Sequence, residues 1–337
     1  MAQLLNDTIE AQLWAQDAIT RLKAGNYGEL VAGVVWTDAR AEDGSLLVEA
    51  EPETMLRVLA REPLPILHGH DPGRPVGNVL EAALFQAPTG ERFVAAILGH
   101  YTRDRILTFA ELGLNDVTAS QLSNLPEPTE EAWIQIASDP RDVSEAWVDE
   151  IAEDAPLPIV RTPLSHNSSD AWHELIRIGL PFALLVWNPA AKAFGTEVGK
   201  AVYAATYTWL KKAIESARER KAPLLCFESH QQGCQVTFLI RGNDVSLNYA
   251  AQEGLSQAAA QAARLVTLLA QRGMPASKLV YEIDAKALRW FPSYAVLDNG
   301  RIIASTPMLI ASASELPAGL SLGLTRKDMG KAHQDKD

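Results

Sequence analysis

LPILHGHDPGRPVGNVLE, residues 64–81, is the stretch on which the reading of this chain turns. Leu64 to Leu67 is a short apolar run suited to a buried strand. His68 to Pro75 follows as a polar turn, punctuated by Gly69, Pro72, Gly73 and Pro75, residues that break regular structure. Val76 to Ala83 resumes as a strand, and Phe93 to Leu98 reads as the next one. Two imidazoles, His68 and His70, and the Asp71 carboxylate therefore stand together where a strand gives way to a loop.

Working outward, residues 3–24 read as a helix, with Leu5, Ile9, Leu13, Ile19 and Leu22 recurring near helical spacing. Leu30 to Trp36 and Leu46 to Ala50 read as strands, and Pro52 to Arg61 as a short helix with proline near its start. Residues 126–156 form an acidic margin. Further on, a long helix is expected from about Ala190 to Lys221, and a second from Gly254 to Arg272, stopped by Gly273 and Pro275. Leu224–Glu228 and Gln235–Arg241 read as a hairpin and Val245–Tyr249 as a third strand. Leu279–Ile283, Tyr294–Leu297 and Arg301–Ser305 complete the strand set, the last two joined by an Asp298-Asn299-Gly300 turn. The cluster Arg289-Trp290-Phe291 ahead of this hairpin is expected to close a core, with an interface or ligand-stacking role as the alternative.

Charge divides the chain. Its 337 residues carry a formal net charge of −12. Residues 1–160 hold 27 acids and 10 bases, a net of −17, whereas residues 161–337 hold 15 acids and 20 bases, a net of +5. Such a field repels phosphate polymers from the first part, and the bases of the second are scattered, so no nucleic-acid role is expected. The start of the chain lacks the basic and apolar runs of a secretory signal, and Ile178 to Trp187 is too short to span a bilayer, which leads to the expectation of a cytoplasmic protein with no stable membrane span. Cys226 and Cys234 are expected to be buried thiols on the two strands of one hairpin.

The strand, His-Asp step, Pro-x-Gly turn (Pro75 to Gly77) and following strand with Glu81 resemble the phage prohead (capsid maturation) proteases, a group related in fold to the herpesvirus assemblins. Val31 to Asp38, with the turn at Gly44, looks like the first strand of that group, so the resemblance covers roughly residues 28–100. It implies a small β-barrel and serine peptidase chemistry. In that chemistry His70, or the adjacent His68, is the general base, and His100, Asp71 or Glu81 orients it. The family's Ser-x-Gly-Phe-like strand has no counterpart here; Ser120, Ser123 and Ser138 are the nearest serines, and Ser120 is the candidate nucleophile.

The expected fold class is therefore α+β. An N-terminal barrel-like domain with flanking helices precedes an antiparallel sheet packed by two long helices. A helix is placed at 1–27, an acidic β-rich domain at 28–156, a linker at 157–170, an α+β domain at 171–324 and a disordered tail at 325–337. The leading functional expectation is a degenerate or non-catalytic prohead-protease-like protein of interaction or assembly, associated with phages or other mobile elements of bacteria. Its partner would be another protein or a second copy of itself, with no cofactor and no metal. One alternative is an active serine peptidase using His70 and a downstream serine. Another is a metal-dependent hydrolase through His68 and His70, although His100, His166, His173 and His230 follow no ligand spacing. The run Ser165 to Asp170 contains all the residue types of a hydrolytic triad, but neighbours in sequence do not fold back on one another, and Ser169 or Asp170 is expected to cap a helix starting at Ala171.

Overall fold

The computed structural model describes residues 2–23, 25–40, 44, 51–60, 64–68, 71–102, 106–115, 117–118, 132–164, 173–187 and 197–306. His70, Ser120, Leu46–Ala50, Ser165–Asp170 and the tail beyond 306 lie outside the described residues.

The stretch around residues 64–81 does form strand, turn and strand. β2 (Leu64–Leu67) pairs antiparallel with β3 (Pro75–Gln86), β3 with β4 (Arg92–His100), and β4 with β1 (Glu29–Thr37), in the order β1-β4-β3-β2. The central strand β4 is buried from Phe93 to Gly99 because each of its faces meets a helix. Phe93, Ala95 and Ile97 face α1 (Ala2–Asp7) and α2 (Ile9–Leu22), whereas Val94, Ala96 and Leu98 pack with Met55, Leu56 and Leu59 of α3 (Pro52–Leu59). This is an open sheet with edges at β1 and β2; among the described residues there is no closed barrel. Helices on both faces already bury the apolar side chains that closure would otherwise have to cover. The N-terminal helix also turns differently than its large apolar residues suggest. Ala11, Ala15 and Ala18 form the buried stripe of α2, and Ile9 and Leu13 face outward.

The remaining strands form one nine-stranded sheet, ordered β5-β13-β12-β11-β10-β9-β8-β6-β7. They are β5 (Leu107–Thr108), β6 (Ile134–Ser138), β7 (Ile159–Pro163), β8 (Glu174–Gly179), β9 (Pro223–Gln231), β10 (Cys234–Arg241), β11 (Ala276–Asp284), β12 (Arg289–Leu297) and β13 (Ile302–Ala304). The sheet is mixed rather than antiparallel. β8 runs parallel to β9, and β10 to β11, because α6 (Glu197–Arg218) and α7 (Val245–Gln271) return the chain between them. Three further expectations change. Val245–Tyr249 is the first turn of α7, whose N-cap Asp244 accepts from the Leu247 N–H at 2.8 Å. Residues from Glu174 form β8 rather than a helix. Ile159–Pro163, expected as linker, is a strand, and β5 and β6 join it in the larger sheet, so the charge boundary does not separate the two sheets.

Both long helices, with α4 (Glu145–Glu153) and α5 (Phe182–Val186), cover one face of the large sheet. The other face, through Leu175, Leu224, Leu239, Val280 and Tyr294, packs against Tyr27, Leu30, Leu80 and Tyr101 of the smaller sheet's unit. The two cysteines are free and buried on opposite faces of their hairpin, Cys226 toward the smaller unit and Cys234 toward the helices. No helix among the described residues is long and apolar enough to cross a membrane.

Candidate functional site

The turn between β2 and β3 is held by its own backbone. The Asp71 N–H donates to the His68 carbonyl at 3.1 Å, the Arg74 N–H to the Asp71 carbonyl at 2.9 Å, and the His68 N–H to the Arg74 carbonyl at 2.9 Å. His68 itself is exposed. His100, at the end of β4, is partly buried and stands opposite Gly77 and Glu29. Burial lowers the pKa of its imidazole, and the Glu29 charge partly offsets this. No hydrogen bond joins His68 to His100 among the described residues.

The carboxylates expected to orient a histidine are engaged elsewhere. Asp71 accepts both terminal nitrogens of Arg241, at 2.6 and 2.7 Å, and its Oδ1 also receives the Gly73 N–H at 2.8 Å. Arg241 passes its Nε to Glu282 at 2.9 Å; Glu282 also accepts from Arg74 at 3.0 Å and from the Ser293 hydroxyl at 2.7 Å. The Tyr294 hydroxyl donates to the Pro72 carbonyl. Two acids and two guanidinium groups, mostly buried, thereby tie the turn of the small sheet to β10, β11 and β12 of the large one. The approach is close enough that a Cβ on Gly73 would lie 2.1 Å from an Arg241 nitrogen, which explains glycine there. Glu81 is paired to Arg21 of α2 at 3.1 Å. A second tie lies nearby: the buried Asn78 amide donates to the hydroxyls of Tyr27 and Tyr101 at 2.9 and 2.8 Å, and Tyr27 donates to the Gly300 carbonyl at 3.0 Å. This arrangement is a neutralised clamp, suited to joining two layers and not to moving protons. Among the described residues no group of three or more His, Cys, Asp or Glu side chains is placed to hold a metal ion.

A groove of 650 Å³ opens on the other side of the large sheet, between α7 and β12. Its size suits a small ligand or a peptide segment. Along α7, Ala250, Gly254 and Ala258 recur every four residues and give the groove its depth, and Glu253, Gln257 and Gln261 recur at the same interval on its rim. The opposing wall runs from Leu288 to Pro292, and Asn115 and Thr118 close one side. Trp290 is fixed by a hydrogen bond from its indole N–H to the Ala251 carbonyl at 3.0 Å. A Cβ on Gly254 would approach the indole to 3.0 Å, so glycine lets helix and strand meet. Leu288 holds a positive φ of 50°, a conformation costly for a side chain of its kind, at the corner that starts this wall. Tyr281 lines the groove from β11 and is 1% exposed. Burial pushes the pKa of its hydroxyl up.

The aromatic wall is legible as a cluster in the sequence; the amide row and Tyr281 are not. The repeated spacing in Ala250-x-x-x-Gly254-x-x-x-Ala258, beside Gln257 and Gln261, was the available signal. No protein-family model matches the chain, nor does any curated protein sequence or solved structure.

Proposed function

We propose that this chain is a non-catalytic protein of interaction or assembly, associated with phages or other mobile elements, whose protease-like strand and turn serve as structure rather than as chemistry. The observation that carries this reading is the bidentate Asp71–Arg241 pair. A triad carboxylate must hold its histidine in one tautomer and orientation. Asp71 instead spends its acceptors on a guanidinium and on its own turn, and Glu81 is bound to Arg21. The groove beside α7 supports the second half of the reading, since it offers hydrogen-bonding and apolar surface without a paired nucleophile and base. The outward-facing Ile9 and Leu13 of α2 add an apolar stripe of the kind used between protein surfaces.

The test is labelling of purified protein with a fluorophosphonate probe, with and without His70→Ala. No serine is expected to react, and the variant is expected to fold as the parent does. A serine labelled in the parent and unlabelled in the variant would restore the peptidase reading.

A further inference from the structure

On the neighbouring strands β8, β9, β10 and β11, a polar side chain stands two residues beyond an apolar residue of the junction with the smaller unit. Arg177 lies beyond Leu175 on β8, Glu228 beyond Cys226 on β9, Thr237 beyond Leu239 on β10 and Lys278 beyond Val280 on β11. Residues two apart along a strand share a face, so these side chains form a polar shelf at one end of the apolar junction. The registers hold them side by side. Thr237 stands directly across from Glu228, Arg177 from Cys226, and Lys278 from Gln235, two residues before Thr237.

The donors on this shelf are unmatched among the described residues. The Thr237 hydroxyl is fully buried and has no hydrogen-bond partner, and the enclosed Arg177 Nε has none either. The Glu228 carboxylate stands 3.7 Å from that nitrogen, beyond hydrogen-bonding range. Lys278 is partly buried and takes part in no ion pair or hydrogen bond among the described residues. Burial lowers the pKa of its amine; the Glu228 charge counters this and the Arg177 charge adds to it, so the three groups lie within electrostatic reach of one another. A buried donor without an acceptor is costly, and a cation without one more so, unless a ligand satisfies it.

Charge narrows the ligand. Arg177 and Lys278 are positive and Glu228 is negative, which leaves an excess of one positive charge on the shelf. The clamp has no such excess, because its two acids meet two guanidinium groups. A monoanion balances the shelf, whereas a phosphate dianion would set a second negative charge against Glu228. A planar guanidinium offers paired N–H donors that match the two oxygens of a carboxylate, and an ammonium adds a point charge beside them.

We infer that this shelf binds a small monocarboxylate, held between Arg177 and Lys278 with a hydrogen bond from the Thr237 hydroxyl, and that Glu228 limits the charge of the anion accepted. The site goes beyond the non-catalytic reading and does not depend on it.

The experiment titrates the full chain by calorimetry with acetate, pyruvate, lactate and benzoate, and separately with inorganic phosphate. At least one of the acids is expected to saturate the protein, and phosphate to bind about tenfold more weakly. Lys278→Met keeps the apolar stem and removes the charge. It is expected to weaken binding of that acid about tenfold, with a ligand-free thermal midpoint no lower than the parent's. Thr237→Val exchanges the hydroxyl for a methyl and is expected to weaken binding about threefold, again with the midpoint kept. No saturation by any of the acids overturns the assignment, as does phosphate binding as tightly as the best acid, or equal affinity in the parent and both variants. A peptide with a free C-terminal carboxylate that binds, when its amidated form and the small acids do not, also overturns it and gives the shelf to the end of a partner chain. Each of these failures leaves the non-catalytic reading standing, since that reading falls on labelling of a serine.

Discussion

Asp71 is the side chain whose neighbours decide what the histidine turn is for. It is 8% exposed and bound to Arg241 through both oxygens, so its removal leaves a mostly buried guanidinium with Glu282 alone. Asp71→Ala is expected to cost about 3 kcal/mol, as breaking one side of a buried pair does, measured by urea denaturation. A loss near zero would return Asp71 to the list of candidate orienting groups. His100 gives a second, pH-dependent expectation. Burial lowers its folded-state pKa below that of the unfolded chain, so the unfolded chain binds the proton first as pH falls. Stability contributed by neutral His100 is thus complete above about pH 6.5 and declines below it. Denaturation curves at pH 7.5 and 5.5 are expected to show this loss, and His100→Gln to flatten it. An unchanged slope in the variant would mean that another group carries the pH dependence.

Helix α7 shows how an element is fixed by one residue that carries no side chain. Trp290 is tethered to the Ala251 carbonyl and cannot swing away, so a branched side chain at Gly254 must push helix and strand apart. Gly254→Val is expected to destabilise the protein by about 2 kcal/mol, in the range of core overpacking, seen as a lower urea midpoint; a midpoint equal to the parent's would show that the helix has room to shift. The same helix marks the limit of what its sequence disclosed. Its body was legible from periodic apolar residues and from the Gly273 and Pro275 stop. Its first turn reads as a strand because Val245, Leu247 and Tyr249 alternate, whereas in the structure the Asp244 cap starts the helix there. Small residues misled in the same way at α2, where Ala11, Ala15 and Ala18 form the contact and the larger Ile9 and Leu13 do not. At the site, His68 and His100 were legible as residue types, but their separation was not. Nor could the chain order reveal that Arg241 and Glu282, 170 and 211 residues after Asp71, would take its oxygens.

The two sheets are bound by polar ties as well as by apolar contact, and this bears on how the molecule unfolds. The small sheet's unit offers Tyr27, Tyr101 and Leu80 to the large sheet's open face. Asp71 with Arg241, Arg74 with Glu282, Tyr294 with Pro72 and Tyr27 with Gly300 cross the same junction. Neither sheet can leave without exposing mostly buried ions, so the parent protein is expected to unfold in one transition, with far- and near-ultraviolet dichroism coincident in urea. Asp71→Ala combined with Tyr27→Phe removes one member from each tie while leaving both sheets' own cores intact. In that variant the smaller sheet is expected to come away first, so that the two probes separate and the apparent m value falls, less surface being exposed in each step. A single coincident transition, merely shifted to lower urea, would show that the apolar contact alone couples the sheets and that the charged clamp adds stability without adding cooperativity.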